Sequence, residues 1–251
     1  MAAGDGAAAR SPPASMKLSS LQSGPIREIA VQDGREWWDR SWRTGFFKAV
    51  QTGPQWLGYE GLVDDEQADR EVHGGVDKAV CAYPGEHYAH WQAHPELAGA
   101  ELGPGAFGEN FTVENMLEGA VCIGDTFTVG EALVQVSQPR QPCWKLARRW
   151  RVARLAAYVE ETGRTGYYFR VVRHGYVRAG DGFHLRERPC PQWTIQRCND
   201  LMHHEKSNEA QARDLAQCSL LAGSWKDTLW ARANQVRRQA AGAAGGGGSM
   251  A

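Results

Sequence analysis

From Lys17 to about Arg188 the chain is built of short runs of β-branched and aromatic residues, each cut off by glycine or proline. Residues 26–31, 109–113, 126–129, 133–136 and 167–172 are such runs, too brief for ordinary helices and of the right length for strands. Many short strands with turn residues between them predict a β-barrel or sandwich rather than alternating strand and helix units. Two stretches break the pattern. Residues 86–94 predict a short helix. Residues 145–161 predict a longer one, because Leu146, Trp150, Ala153 and Ala157 recur on one face and Gly163 follows as a stop.

After Pro191 the texture changes to helix formers. Ile195, Cys198, Leu201 and Met202 form one apolar stripe, and Leu215, Ala216 and Leu220 a second. Ser224 to Asp227 reads as a capping box opening a last helix that carries Trp225, Leu229, Arg232 and Val236 on one side. The expected organisation is mainly β: residues 16–188 as a barrel with a few helices, and 189–241 as a small three-helix domain. The ends, 1–15 and 242–251, are rich in Ala, Gly and Ser and too poor in apolar bulk to pack, so disorder is expected there.

A formal net charge of −1 over 251 residues argues against a protein whose affinity comes from neutralising nucleic-acid phosphates. Arg148, Arg149, Arg151 and Arg154 read instead as the solvated face of the 145–161 helix. No apolar run approaches the roughly 18–20 residues of a membrane span, and the alanine-rich start is no export signal. The expectation is a cytoplasmic protein without a membrane partner. Its six cysteines, without CxxC spacing, are expected to be reduced and mostly packed as small hydrophobes.

One cysteine stands in a special context. Ser137-Gln138-Pro139-Arg140-Gln141-Pro142-Cys143-Trp144-Lys145-Leu146 joins an alternating strand to the 145–161 helix. Two prolines stiffen this crossing. With Pro142 read as the first helical residue, the Cys143 sulfur falls at the positive end of the helix, and Arg140 and Lys145 add positive charge, all of which favours thiolate. The plain alternative is a small residue packed at a turn. Two further segments carry polar groups among glycines: His73-Gly74-Gly75 with Lys78, and Gly105 to Phe111 with the Glu109-Asn110 pair. Bare amides and a nearby cation suit an anionic or flat ligand, although the first segment taken alone reads as a polar tight turn between strands and the second is equally economical as a hairpin entry.

Taken in order, HGGVDKAVCAYP (73–84), FGENF (107–111), CIGDTFTVGEALVQVSQPRQPCWKL (122–146) and TGYYFRVV (165–172) resemble the MOSC domain, named for the C-terminal part of molybdenum-cofactor sulfurase, in its YiiM-like branch. The resemblance spans about Ser20 to Gly182, and a C-terminal helical extension fits that branch. It implies a barrel that binds a molybdopterin-type cofactor, with Cys143 ligating molybdenum. Cofactor binding is carried onto His73, Gly74, Lys78, Glu109, Asn110, Arg140 and Lys145. The implied reaction reduces N-hydroxylated compounds such as hydroxylaminopurines to amines, a detoxification, with Arg140 and His73 assisting Cys143 in catalysis. A separate reductase must supply electrons, because no flavin, haem or iron–sulfur motif is visible. A non-catalytic carrier of the cofactor or of sulfur is the alternative. Zinc held by Cys190, Cys198, His203 and His204 is a further reading, whose spacing is unlike ordinary zinc sites.

Overall fold

The computed structural model describes residues 15–31 and 35–245, without the side chains of 72 and 235–245. The disorder expected at the two ends, and the placing of Val236 on the last apolar stripe, fall almost wholly outside that description. Strands in chain order are β1 Lys17–Ser23, β2 Arg27–Ile29, β3 Trp42–Thr44, β4 Ala49–Val50, β5 Gln55–Gly58, β6 Gly61–Leu62, β7 Val80–Pro84, β8 Phe111–Glu114, β9 Thr126–Val129, β10 Ala132–Pro139, β11 Tyr167–Arg173, β12 Gly175–Val177 and β13 Phe183–Glu187. Helices are α1 Arg70–His73, α2 His87–Gln92, α3 Trp144–Trp150, α4 Leu155–Thr162, α5 Ile195–Asn199, α6 Glu209–Gln217 and α7 Gly223–Gly245.

Eight strands form one curled sheet in the order β13-β9-β10-β11-β7-β8-β1-β4. The sheet is mixed, because β7 and β8 run parallel and a long connection carrying α2 joins them, as a parallel pair requires. The curl brings its far ends together. Leu18 donates its N–H to Asp181 O at 2.9 Å and Phe183 to Met16 O at 3.0 Å, so the start of β1 meets the approach to β13 and much of the open edge is removed. The run at 26–31 is not part of this sheet: β2 pairs only with β3, in a separate ribbon.

Alternation along the central strands separates two apolar clusters. Val80, Ala82, Tyr167 and Phe169 point into the curl, where they join Phe127, Phe183 and the buried faces of the C-terminal helices, among them Cys198, Leu215, Trp225 and Leu229. The helices after Pro191 therefore share one core with the barrel. The opposite face packs Tyr83 with Trp42, Trp91, Phe107, Leu146 and Leu155 in a second cluster. At about 25 cal/mol per Å² of apolar surface, each such aromatic contributes roughly 3 kcal/mol or more of burial.

The long helix expected at 145–161 is two helices. Arg151 takes a left-handed φ of 56° and ends α3, and α4 restarts at Leu155 on a different face. The break places Val152, Leu155 and Val159 in the core, while Ala153 is exposed and Ala157 half-buried. Larger aliphatic side chains gain more from burial than alanine, and one left-handed residue costs only about 1–2 kcal/mol. Ser224 is not a cap either. It lies inside the first turn of α7, and its hydroxyl is 3.2 Å from Gln138 Oε1.

Candidate functional site

Strand register assembles the floor of a cleft on the outer face of the sheet. Gln138 pairs with Tyr168, and Tyr168 pairs with Cys81. Because Tyr167, Phe169, Val80 and Ala82 face inward, Tyr168 and Cys81 must face outward. Asn110, one residue before β8, donates its N–H to Cys81 O at 2.8 Å, and its Oδ1 accepts from Cys81 N–H at 3.1 Å. β10 ends at Pro139. Arg140 then donates its N–H to Gly166 O at 3.0 Å, and the Pro142 turn delivers Cys143 to the start of α3.

This cleft is lined by His73, Lys78, Asn110, Arg140, Cys143 and Lys145, convergent polar groups of the kind that mark small-ligand sites. Six of the eight residues singled out from the sequence thus meet in one place, although they lie in three separate segments. Lys48, Asp65, Cys81 and Tyr168 complete the walls. The ion pair between Lys48 and Asp65 is almost wholly buried, and Asp65 Oδ2 also accepts from Asn110 Nδ2 at 2.9 Å. No motif announces Lys48 or Asp65, which reach the site only through tertiary folding. Tyr168 was legible as the outward member of an alternating strand.

Positive charge dominates the cleft. Arg140 is 6% exposed and its guanidinium donates no hydrogen bond among the described residues. Burial opposes its charge, but the facing Cys81, Tyr168 and Cys143 groups, once ionised, outweigh that and raise its pKa. Burial lowers Lys145, with Arg140 and Lys48 adding to the effect, and burial likewise lowers Lys78. His73 falls to about 4, through burial first and then the charges of Lys145, Arg140 and Lys78. Burial strips these charged forms of hydration, and an anionic ligand in the cleft would oppose the shifts. Burial also pushes the Cys81 thiol up to about 11, so at neutral pH it is a protonated wall group.

Several sequence expectations change. Cys143 is the residue before α3 rather than inside it, with extended backbone at φ −129° and ψ 170°, so Pro142 is not the first helical residue. Its half-buried position facing the cleft is kept. His73 at about 4 is neutral near pH 7 and holds no imidazolium proton in the free site. Gly74 stands outside the lining: a Cβ there would lie 2.7 Å from Arg70 O, so glycine serves close backbone packing. Glu109 is fully buried and its carboxylate is already engaged. It accepts from Gly105 N–H at 2.6 Å, Phe107 N–H at 3.0 Å and Thr112 Oγ1 at 3.1 Å, and from the Tyr88 hydroxyl. It ties down the loop instead of facing a ligand.

The zinc reading finds no support: no His, Cys, Asp and Glu group among the described residues could hold a metal ion on protein ligands alone. Cys190 instead lies with its sulfur 3.5 Å from that of Cys218, and His203 Nδ1 is 3.9 Å from Glu160. Among the described residues no helix is long and apolar enough to cross a membrane.

Comparison with known proteins agrees with this architecture. Residues 69–184 match the MOSC domain, and residues 193–232 match the YiiM-like, 3-alpha helix domain. The chain is 39% identical over 173 residues to Protein YiiM of Escherichia coli (strain K12), covering 68% of this chain and 76% of that protein. It is 34% identical over 179 residues to a protein named Reductase from Gibberella moniliformis, covering 71% of this chain but 31% of the fungal one. The crystal structure of YiiM from Geobacillus stearothermophilus superposes with a TM-score of 0.71 at 35% identity, covering 87% of this chain and 99% of that structure. With its three motif segments gathered at one cleft and its C-terminal helices packed on the barrel, the chain belongs to the MOSC-domain family, in the YiiM-like branch.

Proposed function

We propose that this protein is a molybdenum-cofactor-dependent reductase of N-hydroxylated compounds, converting R–NHOH with two electrons and two protons into R–NH2 and water. The observation that carries the reading is the pairing of a cleft-facing thiol, Cys143, with a buried guanidinium, Arg140, that meets no acceptor among the described residues. An anionic ligand would supply the acceptor that such a guanidinium lacks. A molybdopterin-type cofactor is anionic and fits: when bound it supplies the two-electron chemistry of N–O reduction. Cys143 offers the soft sulfur donor that such a metal takes. Arg140, Lys145 and Lys78 offer the countercharge. Neutral His73 can hydrogen-bond the ligand through its ring. Once an anion lies beside it, the pKa of about 4 rises and the ring becomes able to carry a proton.

Support also comes from the family and from a relative named Reductase. The test is turnover of a hydroxylaminopurine by cofactor-loaded protein with reduced methyl viologen as donor. Cys143→Ser keeps the volume but supplies a harder, less acidic donor, so turnover should fall by at least a hundredfold with a melting temperature near wild type. Cys218→Ser should remain active. A protein that loads the cofactor yet shows no turnover is the carrier instead. Full activity in a folded, loaded Cys143→Ser protein would overturn the assignment.

A further inference from the structure

The cleft has a neighbour that the proposed chemistry leaves unused. The solvent side of α3 carries Arg148 and Arg149, which with Trp38, Trp42 and Phe47 line a groove. Arg148 lies 4.9 Å from the Trp42 ring and 5.4 Å from the Trp144 ring. Arg149 lies 4.2 Å from Phe47 and 4.9 Å from Trp150. Neither forms an ion pair among the described residues, and Arg40 and Arg27 add further positive charge beside them. Among the described residues of this groove and the adjoining recess, Arg27, Arg40, Arg148, Arg149 and Arg151 stand against Asp39 and Glu101, a surplus of positive charge on a chain whose net charge is −1. Trp144, 48% exposed, stands on it beside Arg148, and Trp37, 40% exposed, adjoins it through a ring contact with Trp38 at 5.4 Å.

Exposed tryptophans among stacked arginines are the composition of protein-binding hot spots. The location matters as much. Trp144 follows Cys143 directly, and the Lys145 Nζ that lines the cleft lies 6.0 Å from the Trp144 ring. Lys48 lines both the cleft and the recess holding Arg149.

Resting on the reductase reading, we infer that the arginine–tryptophan face of α3 is the docking surface for an acidic electron-carrier protein. Electrons must reach the cleft from another molecule, and this basic face lies beside the cleft at the start of α3. The overall reaction balances with one-electron carriers: R–NHOH plus two protons and two reduced carriers gives R–NH2, water and two oxidised carriers. Electrostatic attraction of this kind raises the rate of encounter and is screened by salt.

The experiment drives cofactor-loaded protein with two donors in parallel. One is flavodoxin, an acidic flavoprotein, kept reduced by its NADPH-dependent reductase. The other is reduced methyl viologen, a small cation that needs no docking face. The variants are Arg149→Glu and Trp37→Ala, both on exposed side chains. Flavodoxin-driven kcat/KM should fall at least tenfold in each, with viologen-driven turnover within twofold of wild type. Direct titration with oxidised flavodoxin should show binding that weakens with salt and is lost in Arg149→Glu. Equal flavodoxin-driven rates in wild type and both variants overturn the inference, as does the absence of salt-dependent binding. So does binding of a single-stranded oligonucleotide at this face in place of flavodoxin. Failure of both donors with wild-type protein strikes the reductase reading alone, since the titration still decides the docking face.

Discussion

Replacing Glu109 by alanine separates a structural carboxylate from one that meets a ligand. The side chain is fully buried and takes four donors: the N–H groups of Gly105 and Phe107 and the hydroxyls of Thr112 and Tyr88. Thr112 retains an alternative at Gln22 Oε1, 3.4 Å away. Tyr88 keeps only Thr112 Oγ1 at 3.5 Å, so alanine leaves the N–H groups of Gly105 and Phe107 without an acceptor and the Tyr88 hydroxyl poorly satisfied, at about 1–3 kcal/mol each. Water entering the vacated volume offsets part of this, so the expected loss is about 4 kcal/mol. For a domain of this size that lowers the melting temperature by roughly 8–16 °C. Glu109→Gln keeps one carbonyl acceptor and should lose about half as much. The assay is urea unfolding of cofactor-free protein, with cofactor loading measured on the same samples. A loss below about 1 kcal/mol together with impaired loading would refute this account and return Glu109 to the cleft as a ligand group.

Other outcomes follow from the same structure. Gly166 has φ +70°, and a Cβ there would lie 2.4 Å from Ala82 O, whereas Gly163 at φ +67° has nothing within 4 Å; thermal melts should show Gly166→Ala losing more than about 3 kcal/mol and Gly163→Ala only about 1 kcal/mol. His203 is pushed to about 4 by burial first and then by His204, Lys206 and Arg232, and its Nε2 has no partner. Its folded pKa lies below the ordinary 6.5, so the unfolded chain binds the proton more readily; stability is present above about pH 6.5 and is lost as pH falls through about 4. Urea midpoints at pH 7 and pH 5 should therefore lie closer together in His203→Leu than in wild type, and an unchanged gap would count against the burial argument. Arg188 forms an ion pair at 2.7 Å with the fully buried Asp125. Arg188→Gln strands that charge and should cost about 3 kcal/mol by chemical denaturation.

The sequence by itself determined the strand-rich class, the helical C-terminus and the segment around Cys143 that carries the family resemblance. Each of these rests on local patterns: alternation in β10 and β11, apolar stripes at Ile195, Cys198 and Leu201, and two prolines around Arg140 and Cys143. Such patterns are written within ten or so residues and survive without knowledge of neighbours. What only the tertiary structure decided depends on competition between distant groups. The break at Arg151 was invisible because its reward, burial of Val152, Leu155 and Val159, exists only against the second core. Glu109 and Asn110 stand side by side in the sequence, yet one anchors the loop before β8 through the amides of Gly105 and Phe107 and the other is drawn onto the cleft wall by its bonds to Cys81. His73 lies in the cleft but is neutral there near pH 7, because burial and then the lysines and arginine that arrive from 5 to 72 residues away lower its pKa. Lys48 and Asp65 carried no signal at all, because a buried ion pair on a cleft wall is a property of two distant loop segments meeting and not of either alone.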